Sequence, residues 1–448
     1  KTATIAPLEF SFSPNETATP IVDNKPAVEI ATEFKLDFAE PITAPTVEEK
    51  TSESETAITH ANELEFTFTP NEEVATQPAF SFDLDQKTEQ VETEFQISEI
   101  HHEPLGVILG VMPWNFPFWQ AIRFAVPTIL AGNVIVLKHA SICEKSGETM
   151  QEIFEKAGFP KGVFTFLKVS HAQVEEMIAH PIIRGVSLTG SEAAGRKIAE
   201  TAGKNLKKCV LELGGSDAFI VCEDADLEKA AKDGAQARLQ NNGQTCVAGK
   251  RFIIHEKIYQ DFVEKFTEEY QKYQPENPMN EETKLGLMAR EDLASDLEKQ
   301  YQKALNNGAK AIVALESVGS MAFKPGILEM NPENPIAQEE LFGPLAMVFK
   351  VKNDEEALQI ANNTMFGLGN AVFTSNKERA LLFAENLESG SVAINQIFRS
   401  DVRLPFGGRK NSGYGVELSL YALKEFTAPK TIIGRSEERR VGKECLRL

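Results

Sequence analysis

The chain has 448 residues, 42% of them hydrophobic and 25% charged, a composition typical of a soluble globular protein with room for two or three domains. Its formal net charge is −20, and residues 1–100, with five Lys, no Arg and 21 Asp or Glu, carry −16 of that total. The rest is nearly balanced, which argues against a nucleic-acid binder, since that would need a basic face to meet phosphates.

Residues 1–97 contain eight Pro and no Gly, Cys, Trp, Tyr or Arg. Such a segment buries too little apolar surface to offset its ordering entropy, so disorder is expected there. Glu9-Phe10-Ser11-Phe12-Ser13-Pro14-Asn15-Glu16 recurs in degenerate form as Glu65-Phe66-Thr67-Phe68-Thr69-Pro70-Asn71-Glu72. Two readings stand: short docking motifs for a partner, or an acidic linker with incidental aromatic spacers, and composition favours the linker. No basic stretch followed by an apolar one opens the chain, so no signal peptide is read. Five cysteines at 143, 209, 222, 246 and 445 form no CxxC pair, which predicts reduced thiols and a cytoplasmic location.

Leu105 to Leu137 is strongly apolar, with Arg123 its only formal charge. Pro113, Pro117 and Pro127 leave no unbroken span of about 20 apolar residues, so a membrane helix is rejected. A buried strand, a loop, a helix and a second buried strand are predicted instead. The apolar runs Gly106–Val111, Val134–Leu137, Phe164–Val169, Gly185–Leu188 and Cys209–Leu213 alternate with amphipathic stretches such as Gly147–Ala157 and Glu192–Ala202. That alternation predicts an α/β protein with a doubly wound parallel sheet, a nucleotide-binding arrangement. A second α/β unit runs from Leu227 to about Phe373, and Ser391–Ile433 is rich in Gly and short strands. Arg435–Leu448 shows no related pattern and reads as a foreign tail.

Three short motifs carry chemistry. Pro113-Trp114-Asn115-Phe116-Pro117 follows one predicted strand, Leu211-Glu212-Leu213-Gly214-Gly215 ends another, and Gly243-Gln244-Thr245-Cys246 lies 34 residues beyond Glu212. Singly each has a bland explanation: a lone Cys is more often inert core than nucleophile, and a strand-end Glu is usually solvated. Together with Glu339-Glu340-Leu341-Phe342-Gly343-Pro344 and Leu404-Pro405-Phe406-Gly407-Gly408-Arg409-Lys410-Asn411-Ser412-Gly413, they resemble the aldehyde dehydrogenase superfamily over about 330 residues.

The resemblance implies a mechanism. Cys246 adds to the aldehyde carbonyl as a thiolate, which attacks readily and can later leave. The Asn115 amide and the Cys246 backbone N–H meet the developing oxyanion. Hydride passes to a nicotinamide, and Glu212 activates the water that releases the acid. In an open α/β sheet ligands bind beyond the carboxyl ends of strands, which suits Lys138 and the Thr189-Gly190-Ser191 turn for the cofactor. Their bland alternatives are a surface lysine and an ordinary helix cap. Trp114, Glu340 and Phe342 match family positions around the nicotinamide. Ser141 stands where NAD-preferring members carry a Glu, which favours NADP over NAD. Val169-Ser170-His171 replaces a Gly-containing turn at the adenine end.

Lys138-His139-Ala140 with Ser400-Asp401-Val402-Arg403-Leu404-Pro405-Phe406 most resembles the succinate-semialdehyde dehydrogenase branch, which implies a cation for the substrate carboxylate. Arg123 matches that position, with Ser400 as a second contact; helix-surface or salt-bridged roles are the alternative for Arg123. A second carboxylate-binding Arg of the branch is replaced by Gln240, for which Arg238 or Arg403 are candidate substitutes. The implied division is 98–213 for the cofactor domain, 214–396 for the catalytic domain and 397–434 for a C-terminal return. Glu94–Leu105 and Glu425–Ile433 supply a β arm for a homo-oligomer. The family's N-terminal helices have no counterpart in the acidic segment, so an exposed apolar patch is expected. An inactive or chimeric remnant, a dehydrogenase for another small aldehyde, and an interaction protein acting through its acidic tail stay open.

Overall fold

The computed structural model describes residues 88–95 and 97–434. The aromatic repeat and the 435–448 tail lie outside the described residues. Strands β1 (Thr88–Gln90) and β2 (Ile97–Pro104) open this part as an antiparallel pair. The sequence expectation of disorder as far as residue 97 is therefore corrected from residue 88 onward. Backbone pairing with β2, and the Glu89 carboxylate accepting from His102 and Lys424, give this polar stretch tertiary partners that composition does not register.

The alternation then runs as the apolar pattern predicts. β3 (Val107–Met112), α1 (Pro117–Leu130), β4 (Val134–His139), α2 (Glu144–Lys156) and β5 (Phe164–Phe166) come first. α3 (His171–Ala179), β6 (Ile183–Thr189), α4 (Glu192–Lys204) and β7 (Lys208–Glu212) complete the first unit. A second series follows with β8 (Asp217–Val221), α5 (Leu227–Leu239), β9 (Gly249–His255), α6 (Tyr259–Tyr270), α7 (Glu291–Asn306) and β10 (Lys310–Val313). After the small hairpin β11 (Glu316–Ser317) and β12 (Phe323–Lys324) come β13 (Gly326–Glu329), β14 (Leu345–Val351) and α8 (Asp354–Asn362). β15 (Gly369–Phe373), α9 (Lys377–Asn386) and β16 (Ser391–Ile394) end this unit, and β17 (Gly413–Tyr414), α10 (Ser419–Ala422) and β18 (Thr427–Gly434) return to the first.

Six strands form the first sheet in the order β17-β7-β6-β3-β4-β5, parallel except for β17. Strand order reverses beside β3, which pairs with both β4 and β6. Ligands of such sheets bind at that switch point, outside the carboxyl ends. There the chain leaves β3 into Pro113–Pro117 and leaves β6 into Gly190, so two distant motifs become neighbours. The second sheet runs β10-β13-β14-β9-β8-β15-β16, with only β10 antiparallel. β2 pairs along its whole length with β18 in a third, antiparallel sheet.

Side chains alternate across the first sheet because successive residues of a strand point to opposite faces. Ile108, Ile135 and Leu137 meet Phe124 of α1 and Met150 of α2 on one face, while Leu109, Val186 and Leu188 meet Ile178 and Ile198 on the other. Each such side chain, fully buried, contributes about 1.5–3 kcal/mol. α1 also carries an apolar ridge at four-residue spacing, where Phe118, Val126 and Leu130 are 46%, 42% and 37% exposed. Among the described residues no helix is long and apolar enough to cross a membrane.

Candidate active site

Cys246 sits on the turn between the 3-10 segment Gln240–Gly243 and β9. Asn241, Asn242 and Gly243 before it are all left-handed, with φ of 52°, 58° and 73°. Asn tolerates that region better than most residues, and Gly adopts it freely. Polar anchors hold the bend. The Gly286 N–H donates to Asn242 Oδ1 at 2.8 Å, the Ala289 N–H to Gln244 Oε1 at 3.0 Å, and Asn241 Nδ2 to the Asn115 carbonyl at 2.8 Å. Beneath the turn, the fully buried Lys250 ammonium donates to the carbonyls of Thr245 (2.9 Å) and Cys246 (2.7 Å) and lies 3.0 Å from Glu340 Oε1.

Asn115 is brought beside this loop, its Nδ2 donating to the Gln244 carbonyl at 3.0 Å. One amide hydrogen is thereby used and the second is free to meet a developing oxyanion. Gly214 and Gly215 let the loop approach the end of β7, since a Cβ on Gly215 would lie 2.7 Å from the Cys246 carbonyl oxygen. Glu212, the last residue of β7, is buried with neither carboxylate oxygen partnered. Burial raises its carboxyl well above the usual range, Glu417 adds to the rise, and Arg123 works against it. Burial likewise pushes the Cys246 thiol up to about 11, against the pull of Arg123 and Lys250.

A cavity of about 230 Å³ opens on Cys246 and is lined by Phe116, Trp119, Gln120, Arg123, Gln240, Thr245, Val247, Phe398, Arg399, Ser400 and Phe406. Arg123 and Ser400 thus share a cavity with the thiol. Arg123 is buried, ion-paired through Nε with Glu417, and stacked 4.3 Å above the Phe406 ring, while its Nη2 has no partner. Neither Arg238 nor Arg403, the candidates for a cation in place of Gln240, lines this cavity. Arg238 is fully buried and spends Nη2 on the carbonyls of Gly243, Leu341 and Gly343, and Arg403 pairs with Asp401 at the surface. Arg399 lines the cavity instead. Cys143, Cys209 and Cys222 are buried in the core, with burial raising each thiol.

On the cofactor side, Thr189 ends β6 with a buried hydroxyl that has no partner, an orphaned donor at the switch point. The Gly190 N–H donates to the Glu212 carbonyl at 3.0 Å, and the Ser191 hydroxyl caps α4 by accepting from the Ala194 N–H at 3.3 Å. Lys138, the next-to-last residue of β4, is buried one strand from β3, and Ser141 is exposed just beyond it. Trp114 meets Phe342 edge to face at 5.9 Å. Glu340 is turned inward, accepting from the Gly215 N–H at 3.0 Å and from Lys250. Glu340 and Phe342 also line a wider depression of about 440 Å³ beside Leu297 and Gln300 of α7. An unpartnered hydroxyl, a helix N-terminus and a buried ammonium form a donor set that fits a dinucleotide.

Lys250 and Glu417 were not singled out from sequence. The signal for Lys250 was two adjacent cations, Lys250-Arg251, in an otherwise apolar strand that is buried throughout. Glu417 carried none, because its partners lie in α1 and β6.

Comparison with known proteins agrees with this geometry. The aldehyde dehydrogenase family model matches residues 52–432, beginning within the acidic segment. The chain is 43% identical over 334 residues to a succinate-semialdehyde dehydrogenase [NADP(+)] of Deinococcus radiodurans, covering 74% of this chain and 70% of the relative. It is 44% identical over 349 residues to a succinate semialdehyde dehydrogenase [NAD(P)+] of Escherichia coli, covering 77% and 76%. The crystal structure of succinic semialdehyde dehydrogenase from Streptococcus pyogenes in complex with NADP+ superposes with a TM-score of 0.76 at 40% identity, over 79% of this chain and 78% of that one. The chain belongs to the aldehyde dehydrogenase family.

Proposed function

We propose that the protein oxidises succinate semialdehyde to succinate, with NADP preferred over NAD as hydride acceptor and Cys246 as nucleophile. The observation that carries this reading is Arg123, which lines the same cavity as Cys246 and has a buried Nη2 without a partner. A guanidinium edge without a partner is a strong seat for a carboxylate, and Ser400 adds a hydroxyl. The names of the relatives above point to the same substrate and cofactor.

The residues then divide the work. Arg123 holds the substrate carboxylate so that the aldehyde carbon lies at the thiol. Positive charge from Arg123 and Lys250 favours the thiolate of Cys246, which adds to the carbonyl carbon. The Asn115 amide and the Cys246 N–H stabilise the resulting oxyanion. A bound nicotinamide supplies the hydride acceptor. Lys138, the Thr189–Ser191 turn, Glu340 and Phe342 would hold that cofactor. Glu212, raised by burial, takes the proton of the water that releases succinate from Cys246. Strand β18, at the edge of the sheet β1-β2-β18, offers a strand edge for a homo-oligomer.

A second reading, an uncharged small aldehyde, draws on the Glu417 carboxylate that already engages Arg123. Purified protein is to be mixed with succinate semialdehyde or butanal and with NADP or NAD, following absorbance of the reduced cofactor. Faster turnover of butanal selects the second reading. No turnover with any aldehyde, together with no thermal shift from either cofactor, sinks the enzyme.

A further inference from the structure

Lys138 has an unusual neighbour. Its ammonium lies 3.2 Å from Nε2 of His171, the first residue of α3. β4 and β5 are adjacent parallel strands, with Leu137 opposite Phe166, so Lys138 and His171 both stand at the carboxyl edge of the first sheet. That edge is where such a sheet takes its ligand. Among the described residues no carboxylate lies within ion-pair distance of Lys138. The Glu144 carboxylate, which acts on it through the field, is itself paired with Lys168 at 2.5 Å.

An ammonium donating to Nε2 requires a neutral imidazole with its proton on Nδ1. Two charged groups bear on the imidazole. Lys138 on β4 acts most strongly, and Arg290, ahead of α7 on the other sheet's side and paired with Asp292, adds to it. Both charges, with partial burial, hold the imidazole below its ordinary range. Glu144 on α2 is the nearby carboxylate, and it is neutralised by Lys168. His139, next in sequence to Lys138, faces away and hydrogen-bonds the Pro117 carbonyl at 2.9 Å. The result is a basic corner holding one titratable group whose neutral form the neighbouring cations favour.

We propose that His171 is a coenzyme-specificity residue: with Lys138 it forms the seat of a ribose 2′-phosphate, and it takes up one proton from solvent when that phosphate binds. A phosphate dianion between the two side chains replaces the ammonium–imidazole hydrogen bond with two charge-assisted hydrogen bonds, one from each side chain, so both are cationic in the complex. The 2′-hydroxyl of NAD carries no charge and leaves the imidazole neutral. Exposed Ser141, small and uncharged, leaves room beside the seat. This inference rests on the NADP reading above.

Isothermal titration of the full chain with NADP+ and with NAD+, in two buffers of different ionisation enthalpy near neutral pH, reads the proton directly. NADP+ binding is expected to take up as much as about one proton more than NAD+ binding. His171→Gln removes the extra uptake and weakens NADP+ about tenfold while leaving NAD+ affinity unchanged. His171→Arg retains NADP+ affinity and shows no uptake. Equal uptake for the two cofactors, or extra uptake that persists in His171→Gln, overturns the role of His171 and leaves NADP binding standing. A chain that binds NAD+ and not NADP+ overturns the NADP reading itself.

Discussion

Arg123 and Glu417, 294 residues apart in sequence, form an ion pair in which the side chains are only 4% and 3% exposed. The pair lies against Glu212 on one side and the Cys246 cavity on the other, and the Ser187 hydroxyl donates to Glu417 at 3.3 Å. It therefore sets the charge around Glu212 and fixes the angle at which Arg123 meets the cavity.

Removing one member of a buried pair leaves the other charge uncompensated. Glu417→Gln is expected to lower stability by about 3–5 kcal/mol, measured by urea denaturation at neutral pH. A loss below about 1 kcal/mol would show that solvent reaches the pair and screens it.

Arg123→Met separates the two substrate readings. It should raise KM for succinate semialdehyde by roughly tenfold or more, through the lost carboxylate contact, while KM for butanal changes little. An equal rise for both aldehydes would mean that Arg123 only supports the cavity wall.

The Cys246 thiol, pushed up to about 11 by burial, is almost entirely protonated at neutral pH in the cofactor-free protein. Its alkylation by iodoacetamide, taken as the difference between wild type and Cys246→Ser, should rise about tenfold per pH unit between neutrality and pH ~10. A rate that levels off near neutrality would show a thiolate already formed.

Glu212 has the opposite linkage from a salt-bridged carboxylate. Its folded-state carboxyl keeps its proton after the unfolded chain has lost it, so this group's contribution is full below about pH 4.5 and is lost as pH rises through the raised value. Glu212→Gln should become progressively more stable than wild type over that window. Its turnover should stop after one burst of reduced cofactor, because the acyl group stays on Cys246. Unimpaired steady turnover would remove Glu212 from the mechanism.

Much of the architecture was legible in the sequence because it rests on local periodicity. Apolar runs of four to six residues alternating with helical stretches marked β3 to β7 and the helices between them. The short disordered-looking stretch at Thr88–Gln90 was misread, because β1 owes its order to β2 and Lys424 rather than to its own composition. The sequence also left the arginines undecided. Spacing along the chain cannot show that Arg238 points into backbone carbonyls while Arg399 lines the cavity.

What the sequence by itself determined was the identity and order of the groups proposed to react: Asn115 after one strand, Glu212 at the end of another, Cys246 beyond a Gly-containing turn. Residue type and short-range motif are properties of the chain. Only the tertiary structure decided their electrostatics. Glu417 reaches Arg123, Lys250 reaches Glu340, and Lys138 meets His171 by packing between elements distant in sequence. Burial then raises Glu212 and Cys246, because desolvation is a property of the folded surroundings and is written in no single segment.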